Sequence, residues 1–164
     1  MEIRWKLQPL GNQAVLTDPN FAFALGVFYN TIKDRFGLRE DLEAANAPAE
    51  LLPYIVRHRF RPSTGSWPII QIGPGVATVN FTEPYTWHDF KQLSLYLRSN
   101  LIEAYGDARV ELEQVTLRYR NIEELDTESS SLLDFLKKKL NVPVVLPAYN
   151  LGWTPLSRHK NGAS

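Results

Sequence analysis

The chain is 164 residues long, carries 18 basic and 18 acidic side chains that cancel at pH 7, and has no cysteine. That length suits one ordinary domain, which buries roughly 70% of the surface of its unfolded chain and needs no staple. Balanced charge argues against a surface given over to nucleic acid or anionic lipid. The missing thiols exclude disulfides, thiolate catalysis, zinc ribbons and iron–sulfur ligation.

Residues 1–10, MEIRWKLQPL, alternate charged and apolar side chains and lack the apolar run of a secretory leader. No window approaches eighteen apolar residues, so no membrane span is expected. A cytoplasmic protein fits both observations. Within that stretch Ile3, Trp5 and Leu7 oppose Glu2, Arg4, Lys6 and Gln8, the period of a half-buried strand. Asp18-Pro19 then reads as a helix start, with Asp18 as cap. Phe21, Ala24, Leu25, Phe28, Ile32 and Phe36 recur at helical spacing until Gly37, predicting a helix of about eighteen residues. Residues 39–52, acidic and alanine-rich, read as a connection.

Alternation returns in 54–61, where Tyr54, Val56, His58 and Phe60 share one face and Ile55, Arg57, Arg59 and Arg61 the other. Two further strands, 67–73 and 75–81, flank Gly73-Pro74-Gly75, and connections this short imply antiparallel pairing. A second helix opens at Thr86, with Asp89 three residues on in a capping-box arrangement. Its buried face is marked by Trp87, Phe90, Leu93, Leu97, Leu101 and Ala104, and Gly106 closes it. In 109–121 the apolar phase changes from Val110 and Leu112 to Val115, Leu117 and Tyr119, which predicts a bulge near Glu113-Gln114. A last helix is expected at about 129–140, ending in three lysines that suit the helix dipole. An edge strand at best and a disordered 157–164 tail follow. The expected fold is α+β, a single domain over 1–156, with one antiparallel sheet, helices packed mainly on one face and the order β-α-β-β-β-α-β-α.

Trp67-Pro68, Gln71, Gly73-Pro74-Gly75, Thr78 and Asn80 form a W-P-x-x-Q-x-G-P-G-x-x-T-x-N segment. Tyr85, Trp87 and Phe90 follow as Y-x-W-x-x-F, and Leu117-Arg118-Tyr119-Arg120-Asn121 as a later L-R-Y strand. With the opening Glu2-Ile3-Arg4-Trp5, these motifs resemble a sporadically distributed bacterial and archaeal family of proteins with no established activity, from about residue 2 to 125. The resemblance implies a prokaryotic α+β protein and no particular reaction. Arg120 stands where that family often has Ile. Its members commonly extend further at both ends, which makes this chain a short or truncated form.

Gly73 and Gly75 allow positive φ on either side of a rigid proline, so the segment is first a hairpin turn or kink and secondarily a close-approach loop. It is no phosphate loop. Asn80 and Asn121 end strands and suit turns. His58 is expected as a satisfied rim or core residue, His88 as solvent-facing and His159 as part of the tail. No histidine pair has metal-ligand spacing, and no cofactor is expected. Glu111, Glu113 and the Glu123, Glu124 and Asp126 cluster read as solvated surface rather than paired acid–base groups. No nucleophile elbow is present, so an enzyme is disfavoured.

Two binding surfaces remain. Arg57, Arg59 and Arg61 on one strand and Arg118 and Arg120 on another would converge if those strands were neighbours, with Tyr54, Trp67 and Tyr119 to stack bases. The alternative is that these arginines pair with Glu2, Glu111 and Glu113 across the sheet. The favoured reading is a non-enzymatic interaction module with an unknown protein partner or self-association. It uses the open sheet face and the apolar Tyr149, Leu151 and Trp153. Nucleic acid is the alternative partner.

Overall fold

A computed structural model of the chain describes residues 1–11, 15–82, 84–106, 110–120 and 136–137. The chain divides into two compact units, Met1–Tyr119 and Arg120–Ser164. The second is described at Arg120 and at Leu136 and Lys137, whose backbone is helical. The rest of the expected last helix, the edge strand, the tail and Asn121 lie outside the described residues.

The first unit is α+β. Its elements are β1 (Glu2–Trp5), β2 (Gln8–Pro9), β3 (Leu16–Thr17), α1 (Phe21–Ile32), β4 (Leu38–Asp41), β5 (His58–Arg61), β6 (Ile69–Gly73), β7 (Val76–Asn80), α2 (Trp87–Tyr105) and β8 (Leu112–Thr116). Six strands form one antiparallel sheet in the order β4-β5-β6-β7-β1-β8, and β2 and β3 make a separate two-stranded ladder. Both helices pack on one face. Ile3, Trp5, Phe60, Ile70, Ile72, Ala77 and Val79 point into that layer and meet Phe21, Phe28 and Ile32 of α1 and Leu93, Leu97 and Leu101 of α2. The strand period of two is what sorts these side chains from their neighbours. Burying a set of this size at 1.5–3 kcal/mol for each large side chain is the main drive for folding.

Local chemistry explains the boundaries. The capping box at α2 forms as expected: Asp89 N donates to Thr86 Oγ1 at 3.1 Å, and Thr86 N donates to Asp89 Oδ2 at 3.1 Å. Pro74 and Gly75 are the two loop residues between paired Gly73 and Val76, the Pro-then-Gly order of a type II turn, with Gly75 at φ +74°. The register of β8 on β1 slips between Arg4↔Gln114 and Trp5↔Leu112, leaving Glu113 as the extra residue of a bulge.

Several expectations need correction. The strand expected over 54–61 is confined to His58–Arg61, with Tyr54 turned to φ 59°, and that expected over 109–121 to Leu112–Thr116 among the described residues. Helix α1 spans 12 residues rather than about eighteen, and its cap position is Asn20, which makes no side-chain cap bond. Asp18 is drawn away by two buried donors, Trp5 Nε1 at 3.0 Å and Tyr105 Oη at 2.5 Å. The expected connection at 39–52 contains β4, whose charged Arg39-Glu40-Asp41 hid its alternation, followed by short 3-10 turns at Glu43–Asn46 and Ala49–Leu51. Trp87, expected on the buried face of α2, is 66% exposed and stacks on Phe90 at the helix start.

Candidate functional site

On the sheet face away from the helices, one row of side chains runs Glu40, Arg59, Gln71, Thr78, Glu2, Thr116 across the strands. Glu40 sits between two guanidinium groups, 3.4 Å from Arg59 Nη1 and 3.0 Å from Arg61 Nε. Those bonds, Arg61 first, hold its carboxyl below the usual carboxylate range. Arg61 also donates to the Ser66 carbonyl at 2.9 Å and lies 5.8 Å over the Trp67 ring. Arg4 pairs with Glu2 at 2.7 Å. Asn80 donates to Gln71 Oε1 and to Thr78 Oγ1, so this strand-end Asn joins a side-chain ladder rather than capping a turn.

Arg57 departs from its row. It is only 7% exposed, and its guanidinium reaches the Ala47 carbonyl of the loop after β4. Among the described residues its Nε, like that of Arg59, has no partner. Four strand spacings separate β5 from β8, roughly 19 Å at about 4.8 Å each. Arg118 therefore stands far from Arg59 and Arg61, and Arg120 belongs to the second unit. The two rows do not converge within the first unit. Nor is the face open at its centre: Ile69, Val76 and Thr78 are buried.

The Gly-Pro-Gly turn is a close-approach site whose visitor is the chain's own backbone. A Cβ on Gly73 would lie 1.9 Å from the Ile55 carbonyl oxygen, and one on Gly75 2.9 Å from the side chains of Leu7 and Tyr54. Tyr54 N donates to the Pro74 carbonyl at 3.1 Å and Trp5 N to Gly75 at 3.1 Å. Tyr54, at φ 59°, spans from there to β8, where its hydroxyl donates to Glu113 Oε2 at 3.0 Å, and the Arg4 guanidinium covers its ring. Trp67, joined to Pro68 by a cis peptide bond, is half exposed.

His58 is the histidine that the sheet turns toward the helix layer. Its ring stacks on Phe21 with centroids 6.1 Å apart, and Nδ1 lies 2.7 Å from Asp41 Oδ1 and 3.3 Å from Arg39 Nη2. Burial pushes its pKa below 6.5, with Arg39 and Arg57 adding to the push and Asp41 opposing it. Asp41 and Arg39 orient this ring, but no hydroxyl or second carboxylate among the described residues bonds to it. A shallow depression of about 620 Å³, lined by Glu43, Ala44, Asn46, Ala47 and Leu52, has Glu43 as its titratable group. Among the described residues no three His, Asp or Glu side chains group as a metal site would need.

No protein-family model, curated protein or solved structure matches the chain.

The feature that sequence reasoning did not single out is the pair of sheet edges. Edge strand β4 carries Arg39, Glu40 and Asp41, charges of the kind that keep an edge from recruiting another strand. Strand β8, the other edge among the described residues, is different: its Leu112 is 58% exposed and its Val115 50%, and just beyond it Leu117 is 60% and Tyr119 75% exposed. Leu112 and Val115 lie opposite Trp5 and Ile3 and so point to the helix-bearing face, beyond the cover of the helices. The available signal was the phase change at Glu113, which marked a bulged strand but not its position at the edge. No described helix is long and apolar enough to cross a membrane.

Proposed function

We propose that the chain is a non-enzymatic interaction module that binds another polypeptide along the β8 edge. The observation that carries this reading is the half-exposed Leu112 and Val115 of β8 at one side of the described sheet, set against β4 with Arg39, Glu40 and Asp41 at the other. An unpaired strand edge offers a row of backbone donors and acceptors for a further strand, and adjacent apolar side chains supply pockets for it. Large apolar side chains left exposed along a strand edge are the kind that protein contacts cover. The arginines of β5 are a weaker candidate surface, since Arg61 is held by Glu40 and the Ser66 carbonyl and Arg59 shares Glu40 with it. The setting proposed is a bacterial or archaeal cytoplasm, in line with the cysteine-free composition and the motifs around Trp67 and Tyr119.

Photo-crosslinking in cells expressing the chain tests it. A photoreactive residue at Leu117 should give crosslinks to another polypeptide, and the same group at Arg39 on β4 should give none. Absence of intermolecular crosslinks at Leu117, or crosslinks only to residues of the same molecule, would overturn the reading.

A further inference from the structure

Resting on the reading of β8 as a binding edge, we propose that its occupant is a second copy of this chain, with two β8 strands paired antiparallel about a two-fold axis at Val115. Backbone direction comes first. Met1 and Val79 exchange both backbone bonds, and Trp5 N donates to Gly75, so the odd residues of β1 bond toward β7. Lys6 N donates to Glu111, so the even residues bond toward β8. Alternation then directs the Gln114 and Thr116 amides to β1 and that of Val115 outward, and continued one residue past β8 it turns the Leu117 amide outward too. Val115 of one copy can therefore exchange both backbone bonds with Val115 of the other.

Side chains fit the same register. Counting outward from Val115, Gln114 faces Thr116. Beyond the bulge at Glu113, Leu117 faces Leu112 and Arg118 faces Glu111, and each pair occurs twice by symmetry. The segment 111–118, which extends one residue before and two beyond β8, is acidic at its start and basic at its end. Antiparallel self-pairing sets opposite charges across from each other, whereas parallel pairing would set like on like. Glu111 is 70% exposed at its side chain, and among the described residues its one ion-pair partner is the exposed Lys6 at 3.3 Å, so it is accessible to a second cation. On the helix-side face the exposed Val115, Leu112 and Leu117 of both copies would cover one another.

The experiment is sedimentation equilibrium of the full chain from micromolar to high micromolar concentration, with circular dichroism confirming folding of each variant. The wild-type chain should form dimers. Arg118→Glu, which sets Glu opposite Glu at two symmetric places, should weaken the dimer by about tenfold or more. Glu111→Arg combined with Arg118→Glu should restore it, and Val115→Lys should abolish it. A dimer indifferent to these changes uses another surface and overturns the proposal. A wild-type chain that stays monomeric throughout also overturns it, while crosslinks from Leu117 to a different polypeptide would leave the broader reading of β8 intact.

Discussion

Replacing Asp18 with alanine removes the acceptor that ties three parts of the fold together. Its Oδ2 accepts from Trp5 Nε1 of β1 at 3.0 Å and from Tyr105 Oη at the end of α2 at 2.5 Å, while Oδ1 accepts from Asn20 N just before α1. Trp5 and Tyr105 are buried and meet edge to face at 5.5 Å. Burial and the Asp18 charge push the Tyr105 pKa far up, so the hydroxyl stays a donor at any working pH. Each orphaned buried donor costs about 1–3 kcal/mol. Water reaching the half-buried position of Asp18 recovers part of this, so Asp18→Ala should lower the unfolding free energy by about 2–4 kcal/mol. Tyr105→Phe leaves Asp18 two partners and should cost about 1.5–2 kcal/mol. Once the hydroxyl is gone, Asp18→Ala orphans only Trp5. The double variant should then fall short of the sum of the singles by about 1–2 kcal/mol. Urea unfolding followed by near-ultraviolet circular dichroism reads all four proteins. An Asp18→Ala variant within about 0.5 kcal/mol of wild type, or strict additivity in the double, would refute the network.

Three further outcomes follow from the same structure. Gly73→Ala should prevent native folding, because its Cβ meets the Ile55 backbone at 1.9 Å; Gly75→Ala, strained at φ +74° but facing movable side chains, should fold with a lowered denaturant midpoint. Thermal unfolding of both checks the order. Thr86→Ala should cost about 1 kcal/mol through loss of the α2 cap, read as a shift in urea midpoint without a change in slope. Because the folded pKa of His58 lies below 6.5, the unfolded chain takes up the proton first as pH falls. The His58 contribution is complete above about pH 6.5 and is lost as pH falls from there toward the folded pKa; midpoints at pH 7.5 and 5.5 should therefore differ more in wild type than in His58→Gln.

The elements that could be read from sequence are those whose cause is local. The capping box needs only Thr86 and Asp89, the turn only Pro74 and Gly75, and the bulge shows as a phase change around Glu113 because a single inserted residue flips the side-chain alternation. The misses have non-local causes. Asp18 has the chemistry of a cap, but Trp5 and Tyr105, 13 and 87 residues away, compete for its carboxylate. Strand β4 lacks an apolar period because it borders solvent, and its pairing with β5 alone reveals it. Alternation correctly put Arg59 and Arg61 on one face, yet strand order is a property of the whole sheet, and it placed β6, β7 and β1 between them and Arg118. The candidate site was hidden for the same reason. Leu112, Val115 and Leu117 have the pattern of a buried strand face, and only the sheet order shows that β8 is the last strand among the described residues, with no described strand on its outer side.

Residue-resolved amide hydrogen exchange of the full chain as a function of concentration tests that placement most directly. The Val115 and Leu117 amides should exchange quickly in dilute solution and become protected as concentration rises, while Gln114 and Thr116, bonded to β1, stay protected throughout. Val115 and Leu117 amides that are protected at the lowest concentration, or that stay unprotected at the highest, would contradict the account.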